Sequence, residues 1–122
     1  MPEVLLVDDN PTQLRIREAV LTGAGLSVVS ADTAERALEL LLEPEVAQSL
    51  GVIVTDHLMP AASGAALVRD LRHASSSIPV IVISGLADAQ DEYAGLNVSF
   101  LHKPCPPEEL IACVRDALKR SK

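Results

Sequence analysis

The sequence predicts an α/β fold, a doubly wound parallel sheet of five strands in the order 2-1-3-4-5, with residues 1–122 forming one domain. Two observations predict it. Short apolar runs alternate with helical patterns along the whole chain, as βαβ units do. The runs Val4–Val7, Val52–Thr55 and Ile78–Ile83 are almost continuously apolar, as strands covered on both faces must be, whereas Leu26–Ala31 and Val98–His102 alternate. The continuous runs therefore take the middle of the sheet and the alternating ones its edges. A switch point then falls between the first and third strands, where open α/β sheets bind ligands.

The first strand, Val4–Val7, ends in Asp8-Asp9. Asn10-Pro11 starts a helix, with Asn10 as N-cap and the proline where no backbone N–H is needed. Ile16, Ala19, Val20 and Gly23 fall at i, i+3, i+4 and i+7, so they are expected to face the sheet before Gly23-Ala24-Gly25 ends the helix. After the second strand, Thr33 caps a helix with Glu35 in its first turn and Ala34, Ala37, Leu38 and Leu41 inward. Glu43-Pro44 breaks it, and the residues to Leu50 form a loop or a short helical turn. The third strand delivers Asp56, and Pro60 turns the chain away.

Ser63-Gly64 opens a helix with Gly64, Leu67, Val68 and Leu71 inward, and Ser75–Ser77 is a loop. Pro79 lies near the start of the fourth strand, where proline is tolerated, and Ser84-Gly85 ends that strand. Residues 87–94 read as a short acidic helix closed by Gly95. Lys103-Pro104 follows the last strand. Pro106-Pro107-Glu108-Glu109 begins a final helix with Leu110, Cys113 or Val114, Ala117 and Leu118 inward, and its Lys119-Arg120 end suits the helix dipole.

The bulk composition narrows the function. Hydrophobic residues make up 48% and charged residues 22%, so the chain is globular. One Phe, one Tyr and no Trp leave little for base stacking, and a net charge of −7 disfavours nucleic-acid backbones and anionic membranes. No basic-then-apolar leader and no apolar run near ~20 residues is present, so a soluble, cytoplasmic protein is expected. Cys105 and Cys113 read as half-buried thiols, not as a disulfide or a metal site.

The chemistry lies at the strand ends. Strand 1 gives Asp8 and Asp9, strand 3 gives Asp56, strand 4 gives Ser84 and strand 5 gives Lys103. Each is weak evidence alone: an acidic pair is an ordinary turn, Ser-Gly another, and a lysine before proline a surface residue. Their joint placement carries the weight. Three converging carboxylates repel one another, and an oxygen-seeking cation relieves this; Mg²⁺, or Mn²⁺ in its stead, takes few carboxylates together with waters and a phosphate. Lysine adds a compact charge and serine a hydroxyl. Metal, ammonium and hydroxyl together outline a compensated phosphoryl group, for which Asp56 is the best covalent acceptor.

Over essentially its whole length the chain resembles a receiver domain of the two-component response regulators. The likeness is carried by Leu6-Val7-Asp8-Asp9-Asn10, Thr55-Asp56-His57-Leu58-Met59-Pro60, Ser84-Gly85 and Lys103-Pro104. The resemblance implies a flavodoxin-like fold in which Asp56 accepts a phosphoryl group from a histidine kinase or phosphotransfer protein. It implies Mg²⁺ (or Mn²⁺) on Asp9, Asp56 and the backbone carbonyl of Leu58, with Asp8 acting through a coordinated water. Ser84 and Lys103 would touch the phosphoryl oxygens, and Phe100 takes the aromatic switch position. On phosphorylation Ser84 would move and the ring turn inward. That reshapes the face made by the 87–94 helix, the last strand and the final helix, a shift between two packings.

Three positions depart from the family pattern. Ser84 to Lys103 is shorter than usual, Cys105 replaces a common aromatic, and His57 follows the acceptor where an aliphatic residue is usual. The first two fall on the face through which such domains dimerise, so a phosphorylation-dependent dimer stays open. His57 reads as a wall or surface residue, because the transfer needs no extra base.

The expected function is a signalling switch that catalyses its own phosphorylation and dephosphorylation. It has no separate substrate and so is not an enzyme in the usual sense. Its output is contact with an unidentified downstream protein, without direct binding to nucleic acid or membrane, whether it stands alone or was cut from something longer. The alternative is a phosphorylation-independent pseudo-receiver, against which the full set Asp8, Asp9, Asp56, Ser84 and Lys103 speaks. An aspartate-based phosphatase of the haloacid dehalogenase type wants an acid where Leu58 stands. A flavin or nucleotide carrier wants a phosphate-cradling loop where Asp8-Asp9-Asn10-Pro11 stands.

Overall fold

A computed structural model of the chain describes residues 2–56, 64–73, 77–85, 95 and 98–120. The apolar runs form β1 (Val4–Val7), β3 (Val52–Asp56) and β4 (Val80–Ser84), every residue of which is buried. The alternating runs form β2 (Val28–Ala31) and β5 (Ser99–His102), whose burial is partial, as edge strands require. All pairings are parallel and the order is β2-β1-β3-β4-β5, as expected. The helices are α1 (Pro11–Gly23), α2 (Ala34–Leu41), α3 (Pro44–Ser49), α4 (Gly64–His73) and α5 (Pro107–Arg120). The helix expected at 87–94 lies outside the described residues. No helix among the described residues is long and apolar enough to cross a membrane.

Strand alternation divides the core in two. Leu5, Val7, Ile53, Val80 and Val82 meet Ala37 and Leu40 of α2 and Leu67, Val68 and Leu71 of α4 on one face. Val4, Leu6, Val52, Val54, Ile81 and Ile83 meet Leu21 of α1 and Leu110, Val114 and Ala117 of α5 on the other. The two helices of this second face are also tied where Arg115 Nη2, within α5, donates to the carbonyl of Ala24 at the end of α1 at 2.9 Å. In α5 it is Val114 that is fully buried, and Cys113 only partly. Both cysteines are free, and burial pushes both thiols up from their ordinary pKa.

The helix starts follow local chemistry. Asn10 Oδ1 accepts from the backbone N–H groups of Thr12 at 3.0 Å and Gln13 at 3.1 Å, and Thr33 Oγ1 accepts from Arg36 at 3.0 Å. Gly25 ends α1 in the left-handed region at φ +88°, a conformation that favours glycine. The residues after the Glu43-Pro44 break form the short helix α3, the helical one of the two forms expected there.

Of the inner stripe expected for α1, only Val20 turns inward. Ile16 is 58% exposed, and Ala19 and Gly23 also face solvent, whereas Leu14, Arg17, Glu18 and Leu21 turn inward with Val20. Leu14 and Leu21 stand seven residues apart, so positions 17 and 18 share their face. Those positions are charged, and each finds a partner: Arg17 the acidic strand ends, and Glu18 the hydroxyl of Ser30. In α2 the expected Ala34 and Ala37 are buried and Leu38 and Leu41 pack on the core, while Leu40, not expected inward, is buried more deeply than Leu41. Truncation should separate the two readings of α1. Leu21→Ala is expected to lower the free energy of unfolding by about 2–5 kcal/mol, and Ile16→Ala by no more than about 0.5, in urea denaturation.

Candidate functional site

Register decides where the acids stand. Val7 lies opposite Thr55 in the β1–β3 pair, so Asp8 and Asp56 leave neighbouring strands at the same level. Alternation turns both toward the α1–α5 face, the side of Leu6 and Val54. Each is only 2% exposed. Asp9 points to solvent at the rim. With Asn10, Pro11, Gln13 and Lys103, the three acids line an open cleft of about 400 Å³ at the carboxyl edge of the sheet. A larger hollow of about 660 Å³ lies elsewhere, between α2, α3 and α4, and is lined mainly by apolar side chains such as Leu38, Leu41, Leu42 and Ile78.

Lys103 is delivered by the β4–β5 pair. Its backbone N–H donates to the carbonyl of Ser84 at 2.9 Å, and the Lys103–Pro104 peptide is cis. Its Nζ stands 2.8 Å from Asp56 Oδ2. A second cation, unanticipated from the sequence, comes from α1. Arg17 Nη1 donates to Asp8 Oδ2 at 2.7 Å and approaches Asp56 Oδ2 at 3.4 Å, with the side chain 15% exposed. Helical side chains lean toward the N-terminus of their helix, and α1 begins just after the acids, so a long side chain two turns in reaches back to them.

Asp8 Oδ1 also accepts from the Asn10 backbone N–H at 2.9 Å. Burial nevertheless raises the Asp8 carboxyl above its ordinary pKa, outweighing that hydrogen bond, and the charge of Asp56 adds to the rise while Arg17 opposes it. The donors are hard oxygens, several of them desolvated, and this is chemistry that fits Mg²⁺ or Mn²⁺. In the present side-chain arrangement no group of three or more His, Cys, Asp or Glu among the described residues is set to hold a metal.

Of the residues expected from the sequence, Asp8, Asp9, Asp56 and Lys103 line one cleft. Ser84 is buried at the end of β4, and Asp56 lies opposite the preceding residue, Ile83. Ser84 does not line the cleft. Phe100 sits opposite Val82, packed against the α2–α4 core, and alternation puts Ser84 on that same face. Leu58 and His57 lie outside the described residues. Arg17 was missed because an apolar count assigns arginine to the surface. The signal available was its place between Leu14 and Leu21, where a charge has to find a partner.

Comparison with known proteins agrees over the whole chain. A family model described as the response regulator receiver domain matches residues 4–115. The Francisella response regulator 1452 receiver domain superposes with a TM-score of 0.87 at 28% identity, over 100% of both chains. The receiver domain of a signal transduction histidine kinase from Syntrophus aciditrophicus gives 0.85 at 27%, over 100% of this chain and 93% of that one. A protein of Pyropia yezoensis named "Probable transcriptional regulator ycf27" is 33% identical over 98% of this chain and 48% of its own length. The chain thus spans about half the length of such relatives.

The raised Asp8 carboxyl gives a signed pH dependence. Its proton is held more tightly folded than unfolded, so this group's contribution to stability is greatest below the unfolded value near 3.8 and is lost as pH rises through the raised one. Asp8→Asn keeps the neutral form at every pH. Its stability relative to wild type should therefore climb between pH 3 and pH 7 in urea unfolding, and a flat difference would mean the carboxyl is unperturbed.

Proposed function

The chain belongs to the response regulator receiver domain family, and on that premise we propose that it is a phosphorylation-controlled switch in which Asp56 is the phosphoacceptor. One observation carries the proposal. The buried carboxylate of Asp56 has the ammonium of Lys103 at 2.8 Å and shares its cleft with Asp8 and Asp9. A carboxylate oxygen of Asp56 forms the new bond to phosphorus as the P–N bond of a donor phosphohistidine breaks, and the imidazole nitrogen leaves with the electron pair. Lys103 compensates one phosphoryl oxygen, which is why a point charge on a mobile stem suits this position. Asp9, Asp56 and the Leu58 carbonyl would hold Mg²⁺ or Mn²⁺, with Asp8 acting through a water. The metal supplies charge compensation for the remaining oxygens.

Ser84 and Phe100 serve as the switch, a role supported by their common face of the β4–β5 pair. The donor is a histidine kinase or phosphotransfer protein, and the output is a changed protein contact. In the longer relatives named as transcriptional regulators a receiver-like part makes up about half of the protein. For this chain, contact with nucleic acid falls to a partner or an attached segment, since the receiver itself is strongly acidic. A second reading, a receiver that signals without phosphorylation, draws on the Arg17 guanidinium that already compensates Asp8 and Asp56.

Intact-protein mass after incubation with acetyl phosphate and Mg²⁺ separates the two readings. Wild type is expected to gain one phosphoryl group, and to lose that capacity on chelation. Asp56→Asn should gain none. If neither chain is modified and a beryllium fluoride complex also fails to bind with Mg²⁺, the phosphorylation-independent reading stands instead. Lys103→Ala should keep the fold, by circular dichroism, while phosphoryl uptake falls at least about tenfold.

A further inference from the structure

Arg17 has no role in the phosphoacceptor scheme, yet its guanidinium lies between that scheme's two buried carboxylates. One nitrogen, Nη1, faces Asp8 Oδ2 at 2.7 Å and Asp56 Oδ2 at 3.4 Å. The side chain comes from an inward stripe of α1, between Leu14 and Leu21, so it is held over the cleft by the packing of the helix and not by chance at the surface. The geometry points to Arg17 as a built-in cation that a divalent metal must displace from Asp8 and Asp56 before the cleft can be loaded, an inference that rests on the phosphoacceptor reading.

The argument is electrostatic. A guanidinium and a divalent ion compete for the same carboxylate lone pairs, and at close range in a desolvated cleft they repel each other. Arginine does not lose its proton, so it cannot relieve that repulsion by becoming neutral; it has to move. Its departure costs the short hydrogen bond to Asp8, a partner that is 2% exposed. That loss is subtracted from the metal's binding free energy. The guanidinium does the reverse for the metal-free chain, where it separates two carboxylates that would otherwise face each other across adjacent strands. Residue 17 therefore trades metal affinity against metal-free stability, and sets the divalent-ion level at which the switch becomes able to accept phosphate.

The test is direct binding of Mn²⁺, followed by loss of the free-ion electron paramagnetic resonance signal, with no phosphodonor and at fixed ionic strength. Wild type is compared with Arg17→Leu and Arg17→Gln, the second keeping polar donors without the charge, in case an apolar residue beside Asp8 prevents folding. Both variants should bind Mn²⁺ on the order of tenfold more tightly than wild type, as expected for removing a nearby positive charge from a cation site. Both should also melt lower than wild type without metal and gain more in melting temperature on adding Mg²⁺. Equal or weaker Mn²⁺ binding by a folded variant overturns the role of Arg17 and leaves the phosphoacceptor reading intact. No Mn²⁺ binding by wild type or either variant overturns the metal-dependent reading itself, and this inference with it.

Discussion

Two carboxylates removed from water on adjacent strands govern this structure. Asp8 and Asp56 leave β1 and β3 at the same level, with almost no exposure. Desolvated acids of like charge are tolerated only where positive charge or a proton compensates them. The protein supplies that compensation from two distant places, the middle of α1 and the turn after β5, and each donor is fixed by ordinary secondary structure. Asn10 sets where α1 begins, and hence where Arg17 falls. The β4–β5 register sets where Lys103 falls. The acids are thus a feature of the sheet, and the cations that answer them are features of its cover.

The cover works because the sheet is apolar on both sides. With one Phe and no Trp, the core is built from aliphatic side chains. Strand residues alternate strictly between the α2–α4 layer and the α1–α5 layer. That alternation carries through to the polar positions at the strand ends. Asp8 and Asp56 inherit the α1–α5 side, where Arg17 reaches them, while Ser84 and Phe100 inherit the other. The acceptor on β3 and the residues proposed to respond to it therefore occupy opposite faces of one sheet, Ser84 one strand away and Phe100 two.

Much of this could be read from the sequence, and the failures have a physical cause. The contrast between Val52–Thr55, apolar almost throughout, and Leu26–Ala31, alternating, sufficed to order the strands, because burial on one face or two leaves different patterns. The strand-end acids and lysine were visible for the same reason: a polar group closing an apolar strand is a conspicuous break. Helix α1 was misread because its inner face is not apolar. Ile16 is the more hydrophobic residue, but Arg17 and Glu18 have partners inside, and a specific charge pairing outranks a side chain's general preference. Periodicity counts hydrophobicity, and it has no means of registering a charge that is buried because an opposite charge awaits it. The same blindness hid the second cation of the cleft.

The bond between Arg115 and the carbonyl of Ala24 joins residues 91 apart in sequence, and the layer it closes is the last to be made. As the chain leaves the ribosome, α2 and α4 emerge in time to cover their side of β1, β3 and β4, but α5 is synthesised after every strand. Until it arrives, α1 is the one helix among the described residues that covers Leu6, Val54, Ile81 and Ile83. Lys103 is also late, so a nascent chain carries Asp56 for nearly fifty residues with Arg17 already made. In that interval a half-covered apolar sheet is the species exposed to misassociation and to chaperones. The guanidinium on the first helix makes the acidic end of the sheet tolerable before the lysine exists.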